Sequence, residues 1–505
     1  MRLKNSLRNS IIGLLSQLIN VILNFINRTI FIYVLGIEYL GINGLFVNIL
    51  SILSLAELGV GSAIVYHMYE PLAKKDYGKI KSLMNLYSKS YKVIGVIIGI
   101  IGVGVIPFLD KIVKDNHNVE HLTIIYLLFL INSVVSYFYS YKISIISADQ
   151  KNYIVTINQQ KYLILQSAVQ IIILTLTKNY MLYLAIQISF TLLFNISISR
   201  KADNLYPYLK EKEVDKLTVL EKQTIFKHVL AMMSHKVGGV VVNGTDNILI
   251  SSFIGVYWVG IYSNYIMITS IVNRFIDQIF TAITASIGNL NVLESKEKSY
   301  EIYVKILFVN FWIYGFCVTS LFVLINPFID IWLGKDYVMP EVIIFLIITN
   351  FYISGMRKAT IAYNTTLGLF WNDRYKPWIE AIINVIASIF LLNKLGLAGV
   401  LLGTLLSTIC TSLWVDPYIL FKYGFKIQLY KYFKSYFIYL IATIVSCIIC
   451  KYISSFIMGN EYFVFITKML ICLIIPNIIF CMIFIKSNEL KYFKSIVKNI
   501  LVKKL

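Results

Sequence analysis

Apolar residues fall in long blocks along this chain, not in the two-residue alternation of half-buried strands. A helix needs about 20 mostly apolar residues to cross the hydrocarbon core of a bilayer. Fourteen segments meet that need: 11–35, 40–66, 91–110, 122–146, 154–177, 180–199, 229–254, 257–288, 303–333, 341–367, 377–394, 396–421, 432–457 and 462–485. The fifth and sixth form the weakest pair, because Gln159, Gln160, Lys161 and Gln166 dilute the fifth. The first is too long for a cleaved signal and has no small-residue cleavage site, so it is expected to stay as an anchor. The pattern predicts an all-α integral membrane protein with about fourteen transmembrane helices.

Composition agrees. Hydrophobic residues make up 58% of the chain and charged residues 14%, against about a quarter charged in a soluble domain. The net charge of +20 raises the question of nucleic acid. Position answers it: the basic residues sit in short loops between apolar runs, and no soluble domain is visible to present a basic face. With the N-terminus inside and the spans alternating, 33 Lys and Arg fall in cytoplasmic segments and 7 outside. That asymmetry predicts a cell-membrane protein with both termini cytoplasmic.

The longest polar stretch, about 200–228, contains Pro207 and the mixed-charge run Lys210-Glu-Lys-Glu-Val-Asp-Lys216. It reads as a linker. On either side of it the chain echoes itself. Gly36, Tyr39 and Gly41 join the first two spans; Gly255, Trp258 and Gly260 join the seventh and eighth, 219 residues later. Six spans separate the copies, which predicts a parallel repeat about an axis along the membrane normal. The expected organisation is a six-helix bundle over 1–210, a cytoplasmic linker over 211–228, a second bundle over 229–425, and two extra helices with a basic tail over 426–505.

Candidate chemistry is sparse. There is no G-x-x-x-x-G-K-[ST] loop, so transport would draw on an ion gradient, the membrane potential or the substrate. No cofactor or metal is expected. His117-Asn-Val-Glu-His121 matches an H-x-x-E-H string but lies in a polar external loop, where it reads as solvated chain. Cys447 and Cys450 form a C-x-x-C inside an apolar run and read as packing.

Ionisable groups inside the spans carry more. A charge at mid-bilayer costs about 3 kcal/mol or more on insertion scales, so such groups face a wet cavity or one another. The basic set is Arg28, Lys161, Lys236, Arg274, Arg357 and Lys358; the acidic set is Glu57, Asp246, Asp277 and Glu380. Several have a second reading. Lys161 and Lys236 are placed to snorkel. Glu380 suits the first turn of its helix. Arg274 and Asp277, three apart on one face, are placed to neutralise each other. Shifting by 219 puts Asp246 beside Arg28 and Asp277 beside Glu57, so charge recurs at matching depth. A net cationic cavity follows if most of these groups face it, and with it an anionic substrate.

The segment Arg28-Thr-Ile-Phe-Ile-Tyr-Val-Leu-Gly36-Ile-Glu-Tyr-Leu-Gly41 resembles the opening of the polysaccharide repeat-unit flippases. So do Glu57-Leu-Gly59-Val-Gly61-Ser-Ala63, Thr245-Asp246-Asn-Ile-Leu-Ile-Ser251 with Gly255, Gly260 and Tyr262, Ile331-Trp332-Leu-Gly334, and Asn384 with Gly396-Leu-Ala-Gly399 and Gly403-Thr404. The resemblance implies the multidrug/oligosaccharidyl-lipid/polysaccharide exporter superfamily. It implies a non-enzymatic flippase for undecaprenyl-diphosphate-linked oligosaccharides in capsule or surface-polysaccharide assembly, working beside a polymerase and assembly proteins. On that reading Arg28, Arg274, Arg357, Lys358, Lys236 and Lys161 would hold the diphosphate. Asp246, Glu57 and Asp277 would carry a coupling H⁺ or Na⁺. A cation-coupled multidrug exporter and a membrane polysaccharide polymerase or ligase are the alternatives.

Overall fold

The computed structural model describes residues 2–57, 59–114, 119–211 and 217–494. They are helical throughout, and no strand occurs among them. The His117 end of the H-x-x-E-H string lies outside the described residues. The chain contacts itself as two compact units, Met1–Ser263 and Asn264–Leu505.

The first unit contains α1 (Arg2–Leu35), α2 (Ile37–Leu53), α3 (Val60–Lys74), α4 (Tyr77–Val105), α5 (Leu109–Ile112), α6 (Leu122–Ala148), α7 (Asn152–Thr177), α8 (Tyr180–Leu205) and α9 (Val219–Phe253). It also contains the start of α10 (Val256–Leu293). Local chemistry sets several of these starts. Thr218 and Glu221 form a reciprocal capping box at α9. Asp76 accepts from the Lys79 amide to open α4, and Asn179 opens α8 in the same way.

The second unit takes in the rest of α10, then α11 (Lys296–Leu333), α12 (Glu341–Met356), α13 (Lys358–Thr366), α14 (Lys376–Leu395), α15 (Leu397–Cys410), α16 (Ser412–Ile419), α17 (Tyr430–Ser455) and α18 (Glu461–Ile483). Gly399 and Gly403, four apart on α15, let it lie against the backbone of α14. A methyl at Gly403 would overlap Ser388, and one at Gly399 would overlap Leu391. α17 and α18 pack on α11, where Phe311 stacks on Tyr439 with ring centroids 4.4 Å apart.

Twelve helices among the described residues are long and apolar enough to cross a membrane. The expected count of fourteen is therefore not reached. The two spans outside that set correspond to α7 and α9. The reason is visible for α7: its amides serve helix contacts. Gln160 donates to Asn20 on α1 at 3.0 Å, Ser167 accepts from Asn27 at 2.9 Å, and Gln170 donates to the Tyr183 carbonyl at 3.1 Å. A hydropathy window counts these buried amides as polar surface.

Three predicted spans are broken helices. Span 40–66 is interrupted between α2 and α3, where a 3-10 turn ends at Glu57 and Gly59 takes φ 78°. Span 341–367 breaks at Arg357, between α12 and α13. Span 396–421 breaks at Thr411, between α15 and α16. Breaks at membrane depth free backbone groups and belong where the helix lines a polar site.

The glycine echo has a spatial meaning. Gly36 (φ 93°) and Gly255 (φ 129°) turn the chain between α1 and α2 and between α9 and α10. The two corners then pack reciprocally. A methyl at Gly41 would overlap the Val256 carbonyl, and one at Gly260 would overlap the Ile37 carbonyl. Ile37 and Val256 are counterparts at the 219-residue offset, as are Gly41 and Gly260, so the contact is a local pseudo-two-fold. Gly41→Ala or Gly260→Ala is expected to cost about 1–3 kcal/mol by forcing two backbones apart. A lowered melting temperature of the detergent-solubilised protein would show it; wild-type melting for both variants would contradict the close approach.

Candidate functional site

Arg28 sits on α1, about two turns before the Leu35 end. Its guanidinium donates to the Ser263 hydroxyl of α10, which in turn donates to the Gly260 carbonyl at 2.7 Å. Arg28 Nε is buried and bonds nothing. No ion pair to Arg28 occurs among the described residues. The pseudo-two-fold relates this pair to Asn247 and Gly44: a methyl at Gly44 would lie 3.7 Å from Asn247 Nδ2. The counterpart of the cation is thus a neutral amide, and its Oδ1 is also buried and unbonded. Of these four positions only Arg28 carries a charge. Asp246, next along α9, lies within electrostatic reach of the buried Tyr262 hydroxyl.

Glu57 is held at the break between α2 and α3. Tyr91 of α4 donates to its Oε1 at 2.5 Å; Tyr87 lies 3.3 Å from Tyr91 and 2.9 Å from Ser144 of α6. Gly61 opens the space for this chain of hydroxyls, since a methyl there would meet Tyr87, Tyr91 and Glu57 together. The result is a carboxylate joined to a hydroxyl relay inside the first unit.

The second unit gathers a different cluster. Asp416, 1% exposed on α16, accepts from Arg357 Nε at 2.8 Å and from Lys376 Nζ at 2.5 Å. Lys376 also pairs with Asp373 at 2.8 Å. The helix breaks at Arg357 and Thr411 bring these groups together. Asp416 and Lys376 are missing from the sequence-derived set. Asp416 was findable: it interrupts the apolar run 396–421, and the same insertion-cost rule picks it out.

Glu380 accepts from Ser412 at 2.6 Å and from Thr408 at 3.3 Å. It therefore bridges to hydroxyls on either side of the Thr411 break in the facing helix. Asp277 pairs with Lys358 of α13 and not with Arg274 on its own helix. Arg274 is exposed. Lys161 is exposed too, its ammonium 5.9 Å from the Tyr162 ring centroid. The Lys236 side chain lies outside those described.

Arg28 and Arg274 are therefore the arginines of the candidate set that no carboxylate answers among the described residues, whereas Arg357 is held by one. That uneven distribution is what an anion site requires. The profile described as "Polysaccharide biosynthesis protein" matches residues 6–284, more than half of the chain. The chain belongs to this family.

Solved structures agree on the fold. The lipid II flippase MurJ in an inward closed conformation aligns over 94% of this chain and 98% of its own, with a TM-score of 0.67 and 14% identity. An inward-facing multidrug resistance MATE family transporter of the MOP superfamily aligns over 82% and 99%, with a TM-score of 0.60 and 16% identity. A mutant of the Vibrio cholerae MATE transporter VcmN aligns over 85% and 98%, with a TM-score of 0.57 and 14% identity. At these identities the likeness shows a shared fold and nothing further. A search of curated proteins returns no match.

Proposed function

We propose that this family member is a flippase for undecaprenyl-diphosphate-linked oligosaccharide repeat units. It moves them from the inner to the outer leaflet of the cell membrane for capsular or other surface polysaccharide. Both termini are cytoplasmic in this reading, and a polymerase takes up the product. The observation that carries it is Arg28: a half-buried guanidinium, bonded to a neutral hydroxyl, with a buried Nε that has no partner. A partly desolvated cation without a counter-ion is costly, and a diphosphate supplies the missing charge with bidentate geometry.

Arg274, Lys358, Lys161 and Lys236 are assigned weaker attraction for the same anion. Arg357, committed to Asp416, acts as a positioning cation. Transport proceeds by alternating access. Glu57, with Asp246 and Asp277, carries the coupling proton or Na⁺. Glu57→Gln keeps an acceptor for Tyr91 but removes the charge, and should abolish the response of transport to an imposed ion gradient; a retained response removes Glu57 from that role.

The experiment is deletion of the gene in a strain without other flippases. Lipid-linked repeat units should accumulate on the cytoplasmic side and surface polysaccharide should disappear. Normal surface polysaccharide in that strain would overturn the assignment.

A further inference from the structure

Two of the seven external basic residues, Lys451 on α17 and Lys468 on α18, converge on one cavity of about 190 Å³ in the second unit. Lys451 lies four residues before the end of its helix. Lys468 lies seven residues into the next, about 10 Å along the axis. That depth is where headgroups meet the hydrocarbon edge.

The cavity has unused donors. Lys468 makes no hydrogen bond or ion pair among the described residues. Ser454, 4% exposed, has a buried hydroxyl with no partner. Lys451 is held in place, paired with Glu341 at 2.5 Å and lying 5.0 Å from the Phe322 ring centroid.

Phe322 also lines a second, almost wholly apolar groove of about 510 Å³. This groove runs along α17 through Ile448 and Ile444 and past Ile348 of α12. Phe322 is thus shared by a pocket that carries two lysines and by an apolar groove.

We infer that this pair of cavities binds an anionic glycerophospholipid, with its phosphodiester on Lys468, Lys451 and Ser454 and one acyl chain in the groove. Charge selects the headgroup. Two lysines against Glu341 leave a net charge of +1, which matches a phosphodiester and underfills a diphosphate. The site is separate from Arg28, which lies in the first unit, and does not depend on the flippase reading.

The test is native mass spectrometry of the full-length, delipidated protein titrated with dioleoyl phosphatidylglycerol, dioleoyl phosphatidylcholine or decaprenyl diphosphate. Phosphatidylglycerol should bind about tenfold more tightly than phosphatidylcholine, the order of effect of a lysine or two at a membrane surface. Lys468→Ala should remove that preference without lowering the melting temperature, because the ammonium has no protein partner to lose. Ser454→Leu, which fills the pocket and keeps both lysines, should remove it as well. Three results would each overturn the site: equal binding of the two phospholipids, an unchanged preference in Lys468→Ala, or binding of decaprenyl diphosphate that Lys468→Ala weakens and Arg28→Ala leaves intact.

Discussion

Asp416→Ala is expected to deplete folded protein from the membrane. The carboxylate is 1% exposed and answers two cations, Arg357 at 2.8 Å and Lys376 at 2.5 Å. Removing it leaves both buried without their shared partner; Asp373 stays on Lys376 alone. Breaking a buried pair from one side costs about 3–5 kcal/mol, a large share of the roughly 5–15 kcal/mol that holds a typical protein folded. Asp416→Ala combined with Arg357→Met removes charge of both signs and should recover part of the loss, because the two sites are coupled. Monodisperse protein recovered after detergent extraction, with its melting temperature, measures this. Wild-type recovery for Asp416→Ala would mean that the cluster does not hold the α12–α13 and α15–α16 breaks together.

Arg28→Ala is expected to act in the opposite way, sparing the fold and stopping transport. Its guanidinium has no carboxylate to abandon, and its Nε already bonds nothing. With no ion pair to break, the substitution leaves no opposite charge buried without its partner, which is the large cost of removing one member of a pair. Ser263 retains its bond to the Gly260 carbonyl. The loss appears when substrate binds: hydrogen bonds to a charged group are worth about 1.5–3 kcal/mol each, so transport should fall by roughly ten- to a hundredfold for one bond and further for a bidentate pair. Arg28→Lys keeps the charge but not the planar fork and should fall between. Surface polysaccharide, normalised to membrane protein, checks the order wild type, Lys, Ala. An Arg28→Ala variant that is fully active, or one that fails to fold, would remove Arg28 from the substrate site.

The two residues also mark what can be read from the chain. Arg28 was legible because an arginine in the apolar run 11–35 has no inexpensive explanation; Asp416 falls under the same rule, yet the acidic set read from the sequence omits it. Their partners were not. Asp277 has Arg274 three residues away on its own helix, yet it pairs with Lys358, 81 positions later. Helical spacing describes only neighbours on one element, and the choice among elements is made by packing.

The helix breaks were hidden for a related reason. A span-length window averages over a single residue such as Thr411 or Arg357, and neither break carries a proline. The break at Glu57 was the exception, since Gly59 and Gly61 flank it and the left-handed turn needs the first. The 219-residue echo located the reciprocal corner at Gly41 and Gly260. It did not carry charge with it: the counterpart of Arg28 is Asn247, because a local pseudo-two-fold constrains backbone approach and leaves polar side chains free to differ.

The central claim is that this protein transfers a diphosphate-linked glycolipid across a bilayer. Purified protein in proteoliposomes, with a fluorescent polyprenyl-diphosphate-linked oligosaccharide loaded in one leaflet, tests it directly through quenching by a reagent confined to the other side. The account predicts translocation well above protein-free vesicles and close to background with Arg28→Ala. Background rates with wild-type protein, in vesicles where the same preparation expels a lipophilic cation, would contradict it.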